Sequence, residues 1–232
     1  MLMKFLGVEI RAADPGLRAA ALSTLLELPE PENEEIVLKD CRIAFVPGET
    51  RKLPEKPEGY YVGLDHLAFR STDLAYSVER CLQRGTALKN GSEVSYNPQI
   101  WGPGMNYVNP LFPDSVGTEI CQRLDLPGKR MDTVTDGLEH IGIPVRDLAS
   151  SIRFYEQFGF TVGTRVLNHR ESDGADIDVA MLVGDGVILE TYEFLHMDHE
   201  DYTDQPFAAL VFQGEEEVSY KGPNGETILV RR

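Results

Sequence analysis

Basic residues are scarce in this chain. Its 232 residues include 22 Lys and Arg against 38 Asp and Glu, a formal net charge of −16. A surface of that sign repels a phosphate backbone, so nucleic acid is excluded as a partner and a cationic or metal-bound ligand suits it better. Cysteine is scarce too. Cys41, Cys81 and Cys121 cannot all pair with one another and none lies in a Cys-x-x-Cys motif, which reads as reduced thiols in a cytoplasmic protein. No apolar run approaches the roughly 18 residues needed to cross a bilayer, so no membrane partner is expected. The N-terminal run "MLMKFLGVEIRAAD" is too short for a signal peptide and is interrupted by Glu9. There is no phosphate-binding loop, no Ser/His/Asp arrangement at a supporting spacing and no basic patch. The apolar fraction of 42% is that of a packed globular chain.

What the chain does have is repetition. "GLEHIGIPVRDLASSIRFYEQFGF" runs from Gly137 to Phe160, and "GLDHLAFRSTDLAYSVERCLQRG" from Gly63 to Gly85. Each copy writes Gly-Leu-acid-His, an apolar strand, then Asp-Leu and a helix. Asp147 is suited to cap the helix that follows, whose buried face is Leu148, Ile152, Tyr155 and Phe158. Gly159 then ends it. In the earlier copy Leu74, Val78 and Leu82 give the apolar face and Gly85 the stop. Strands follow each helix, and "GDG" at 184–186 predicts a hairpin between the last two strands of the later copy. Two weaker copies flank the pair. At the N-terminus Asp14 caps a helix with Pro15 at its first position, and Pro29 breaks it. At the C-terminus two strands are joined by Asn-Gly, with no room for a helix. Four modules result, at about 1–50, 58–125, 137–196 and 205–232, with polar linkers at 49–59 and 126–136.

The two central modules resemble the vicinal oxygen chelate superfamily, which holds glyoxalases, bleomycin-resistance proteins and extradiol dioxygenases. The resemblance is carried by "HIGIPVRDLASSIRFYEQFGF" with "GDGVILETYEF", and by "DHLAFRSTDLAYSVERCLQRG" with "FPDSVGTEICQ". It covers residues 58–196 well and the ends poorly. It implies an α+β fold of repeated βαβββ modules, their mixed sheets curled around a cleft with helices on the outer face. It implies two module pairs, 1–125 with a degenerate first module and 137–232 with an abridged last one, separated by linker 126–136. Strand alternation agrees with a cavity wall. Ile141, Ile143 and Val145 share one face, while His140, Gly142 and Pro144 share the other. Leu67 and Phe69 likewise oppose His66, Ala68 and Arg70.

In such proteins each module gives a metal one residue from its first strand and a Glu from its last. Carried over by position, the third module supplies His140 and Glu190 and the second supplies His66. Where the second module's closing Glu is expected stands Cys121. Glu119 lies two residues earlier on the same strand face, so either Glu119 or Cys121 is the candidate fourth residue. Phe5, Phe207 and Leu229 occupy the corresponding positions of the outer modules, which therefore look empty. Two imidazoles and a carboxylate suit Fe, Mn, Ni or Zn as a divalent cofactor. Tyr192, Trp101 and Tyr107 are candidates for lining a pocket. His196 and His199 in "HMDHE" read as a polar loop. His66 joins His140 and Glu190 only if modules two and three share a barrel, within one chain or between the copies of a homodimer.

The resemblance thus implies a metal-dependent enzyme that holds a small substrate through vicinal oxygens, either a ring-cleaving dioxygenase or a lyase or isomerase. The alternatives are a non-catalytic binding protein for a small drug or metabolite, of the bleomycin-resistance type, and a structural relative with no site.

Overall fold

The computed structural model describes residues 3–49, 60–89, 91, 93–112, 117–129, 131–170, 174–201 and 207–232. Nearly all of the expected linker 49–59, residues 113–116 of the second module and the start of the fourth module lie outside the described residues.

The first module is β1 (Lys4–Ala12), α1 (Pro15–Leu26), β2 (Glu35–Val37) and β3 (Arg42–Pro47). The second is β4 (Tyr60–Val62), β5 (His66–Arg70), α2 (Leu74–Gln83), β6 (Ser95–Asn97), β7 (Met105–Val108) and β8 (Gly117–Arg123). The third is β9 (Leu138–Pro144), α3 (Leu148–Glu156), β10 (Thr161–Arg170), β11 (Ala175–Val183) and β12 (Ile188–Phe194), followed by the short β13 (His199–Asp201). The fourth is β14 (Phe207–Gln213), β15 (Val218–Lys221) and β16 (Thr227–Arg231). The fold is α+β, as the repeats predict.

Each helix starts for the same local reason. Asp14, Asp73 and Asp147 accept hydrogen bonds from the amides of Leu17, Tyr76 and Ser150 at 2.9, 3.2 and 2.6 Å. These satisfy backbone donors that a helix cannot pair internally. Helix α3 ends at Glu156, two residues short of the expected Phe158, which stays buried in the turn that follows.

The sheets correct the expected module pairing. One eight-stranded sheet has the order β10-β11-β12-β9-β5-β8-β7-β6, and one six-stranded sheet the order β15-β16-β14-β1-β3-β2. Modules two and three therefore share a sheet, and modules one and four share the other; the expected pairs were one with two and three with four. The seam of the larger sheet is the antiparallel pairing of β5 with β9, where Ala68 faces His140 and His66 faces Gly142. Within each module the first and last strands pair in parallel, β5 with β8 and β9 with β12. The physical reason is edge matching. Pairing the two Gly-Leu-acid-His strands places both at the centre of one sheet, where β9 is buried along nearly its whole length.

One face of the larger sheet is core. Leu67, Phe69, Ile120, Ile141, Ile143 and Leu189 pack with Leu74, Val78, Leu148 and Tyr155 from the helices. The opposite face carries the residues set aside for a cavity wall. The "HMDHE" segment departs from a simple loop: His199–Asp201 forms β13, which pairs in parallel with β4.

Candidate metal centre

The seam brings the sequence-predicted residues together within a single chain, so no second copy is needed to assemble them. His66 opens β5, His140 lies in β9 and Glu190 in β12. His66 Nε2 lies 3.3 Å from His140 Nε2. Glu190 Oε2 lies 3.4 Å from each of those nitrogens. A point equidistant from the three atoms is about 1.9 Å from each, against metal–ligand distances of ~2.0–2.2 Å.

The outer nitrogens explain why the inner ones converge. His66 Nδ1 is 2.9 Å from Asp65 Oδ2, and His140 Nδ1 is 2.6 Å from Glu139 Oε2. Each Nδ1–H donates to its carboxylate, which leaves each Nε2 lone pair facing the other and Glu190. Two lone pairs and a carboxylate oxygen at this separation repel unless a proton or a metal cation sits among them. The titration tendencies say the same. Burial opposes charge on His66, yet Asp65, Glu190 and Glu119 together push it up to about 10. His140 is raised well above its ordinary value, chiefly by Glu190 working against burial. The donor set therefore fits a divalent cation.

Local sequence sets this geometry. Asp65 and Glu139 are the acids of the repeated Gly-Leu-acid-His, and sequence reasoning gave them no role although the repeat displayed them. A strand would normally point Glu139 away from His140. The β5–β9 register shifts between Ala68 and Phe69, so Glu139 is the extra residue of a bulge and its carboxylate reaches the His140 ring. Asp65 precedes β5 and is fixed in turn by the Tyr192 hydroxyl, which donates to Oδ2 at 3.2 Å. Gly142 makes room for His66. A Cβ there would stand 2.0 Å from His66 Cε1.

Of the two candidates for a fourth position, Glu119 is the structural counterpart of Glu190. Glu190 pairs with Gly142, two residues past His140, and Glu119 pairs with Ala68, two residues past His66. Positional matching by sequence had pointed to Cys121 instead. Glu119 Oε1 is 3.8 Å from His140 Nε2, is buried and has no hydrogen-bond partner among the described residues. Burial, opposed by the two histidines, pushes its carboxyl up to about 7. Cys121 is buried beside it, and burial pushes its thiol up to about 12.

Tyr107 packs against Ala68, Met105 and Cys121. Trp101 packs on Ile100, Val179 and Met181, with the Arg123 guanidinium 3.8 Å above its ring. Arg123 in turn lies 3.6 Å from Glu139 and pairs with Asp125.

A family model described as Glyoxalase/Bleomycin resistance protein/Dioxygenase superfamily matches residues 137–216. No curated protein sequence matches the chain. Among solved structures, a V278E mutant of glyoxalase I from Zea mays superposes with a TM-score of 0.65 at 14% identity, covering 98% of this chain and 92% of that one. A putative dioxygenase from Bacillus subtilis subsp. subtilis str. 168 gives a TM-score of 0.60 at 12% identity, covering 99% of this chain and 84% of that one. At these identities the structural likeness is one of fold. Residues 137–216 thus match the Glyoxalase/Bleomycin resistance protein/Dioxygenase superfamily in sequence, and the chain along nearly its whole length has the fold of the glyoxalase I and dioxygenase structures.

Proposed function

We propose that the protein is a metal-dependent lyase or isomerase that moves a proton on a small substrate held through two vicinal oxygens. The observation that carries this reading is the unpartnered Oε1 of Glu119 beside the His66, His140 and Glu190 triangle. A buried carboxylate oxygen left without a donor is costly, and active sites are where such groups persist. His66, His140 and Glu190 would hold the cation, and Fe, Mn, Ni and Zn all suit two imidazoles and a carboxylate. When bound, it would act as a Lewis acid toward the substrate oxygens and acidify the carbon-bound proton beside them.

The chain supplies the rest. Glu119 takes that proton at Oε1 and returns it to the neighbouring atom, with no existing hydrogen bond to break first. Asp65 and Glu139 keep the two imidazoles in the tautomer that faces inward. Val179, Met181 and Ile100 form an apolar cluster on which Tyr192 packs, and it would limit water around the transferred proton. A ring-cleaving dioxygenase needs open positions beside a three-residue set, and Glu119 stands against one of them. A binding protein without chemistry has no use for two imidazoles braced by carboxylates.

The test has two parts. Protein purified without chelator should carry stoichiometric Fe, Mn, Ni or Zn, and His140→Ala should lose it with the fold intact. Small α-hydroxy ketones and α-hydroxy aldehydes in deuterated water should exchange their carbon-bound proton, and Glu119→Gln should abolish that exchange while keeping the metal. Unchanged exchange in Glu119→Gln removes the base from the proposal.

A further inference from the structure

Beside the triangle lies a second group of donors. Glu119, Cys121 and His140 each offer a ligand atom, these atoms lie within 4.8 Å of one another, and all three residues are buried. This group shares His140 with the triangle but uses neither His66 nor Glu190. We infer that it is an alternative site for a thiophilic divalent cation such as Cd²⁺, exclusive with the oxygen- and nitrogen-ligated site; the inference rests on the proposed function only for the identity of that first site.

Three facts on this strand support it. Glu119 and Cys121 are two apart on β8, so both point to the face that carries His140. Among the described residues Glu119 Oε1 is buried without a hydrogen-bond partner, 3.8 Å from His140 Nε2. Cys121 is fully buried; its thiol makes a long contact, 3.7 Å, to the carbonyl oxygen of Phe69 and also interacts with the His140 ring. A tetrahedral ion needs such donors about 3.4–3.6 Å apart, so the side chains close by about 1 Å to reach it. Hard and soft ions then separate by chemistry. A hard ion gains little from sulfur and stays with the imidazoles and Glu190, whereas a soft ion forms a sulfur bond that the first site lacks. On binding, the Cys121 proton leaves to the buffer and the sulfur lone pair makes the new bond; nothing is oxidised or reduced.

The experiment uses the full chain with Cd²⁺ and Mn²⁺ as probes. Cd²⁺ binding is read by ultraviolet thiolate-to-metal charge-transfer absorption. Mn²⁺ binding is read by loss of the free-ion paramagnetic resonance signal. In the unmodified protein, Cd²⁺ should produce one equivalent of the band and expel Mn²⁺. Cys121→Ser and Cys121→Ala should each remove the band and weaken Cd²⁺ by more than about tenfold, with Mn²⁺ affinity unchanged within about twofold. His66→Ala should weaken Mn²⁺ by more than about tenfold and keep the band. The inference is overturned if the folded protein gives no band with Cd²⁺, if the band survives in both Cys121 variants, or if the two ions bind together. Failure of the first site is a different result: Mn²⁺ affinity unaffected by His66→Ala, whatever the band does.

Discussion

Gly142→Ala tests the centre with a single methyl group. Gly142 does not have a positive φ, so alanine is tolerated by the backbone. The methyl would lie 2.0 Å from His66 Cε1, 2.2 Å from Nδ1 and 2.5 Å from Nε2. Carbon atoms rest about 3.5–4.0 Å apart, so the imidazole must move by roughly 1.5 Å. It cannot do so and keep its 2.9 Å contact to Asp65, which Tyr192 holds in place. Metal sites tolerate only about 0.2 Å, so the displaced ring leaves the triangle. Overpacking of this kind costs about 1–3 kcal/mol, which lowers Tm by about 2–12 °C for a chain of this size. Mn²⁺ affinity should fall by at least the roughly tenfold to hundredfold that follows loss of outer-shell support. Titration calorimetry with Mn²⁺ and thermal melting of the same preparation measure both. A Gly142→Ala protein that melts lower but binds Mn²⁺ as tightly as the unmodified chain would refute the placement of His66 as a ligand.

Other outcomes are expected elsewhere. Asp147→Ala should cost about 1 kcal/mol at pH 7 in chemical denaturation, through loss of the helix cap. The Ser150 amide holds the Asp147 carboxyl below its ordinary value, so this contribution is full above the unfolded pKa near ~3.9 and is lost as acid titrates the native carboxylate. The difference between the two proteins should therefore shrink at pH 3. Tyr155→Phe removes the hydroxyl that donates to buried Glu226 Oε1 at 2.8 Å and should cost about 1–3 kcal/mol by the same assay. Ile143→Ala, in the core under α3, should cost about 2–5 kcal/mol and leave Mn²⁺ stoichiometry at one.

Much of this was legible in the residues. The period-two split of "HIGIPV" into Ile141 and Ile143 against His140 and Gly142 holds in the structure, because one face of β9 must sit under helices while the other cannot. The caps Asp14 and Asp147 were readable because an N-cap depends only on residues a few positions away. The module pairing was not readable. Strand partners far apart in sequence are chosen by whole edges, and nothing within β5 or β9 names the other. The choice between Glu119 and Cys121 stayed open in the sequence for the same reason: the equivalence of Glu119 to Glu190 is a matter of register, two residues past the histidine of the neighbouring strand, and not of distance along its own strand. The role of Glu139 depended on a bulge, which alternation alone cannot foresee.

The β5–β9 seam has a consequence for assembly. His66 belongs to one module and His140 with Glu190 to the next, so a bound cation acts as a clasp across the seam. Whatever binds only the joined form stabilises it by mass action, about 2.7 kcal/mol at a concentration one hundred times Kd. The reverse also holds: any change that loosens the two modules weakens the cation by the same free energy. Affinity for the ion is thereby a gauge of how firmly two repeats of one chain are joined, and a chain cut in linker 126–136 should rejoin its halves more tightly as the ion concentration rises.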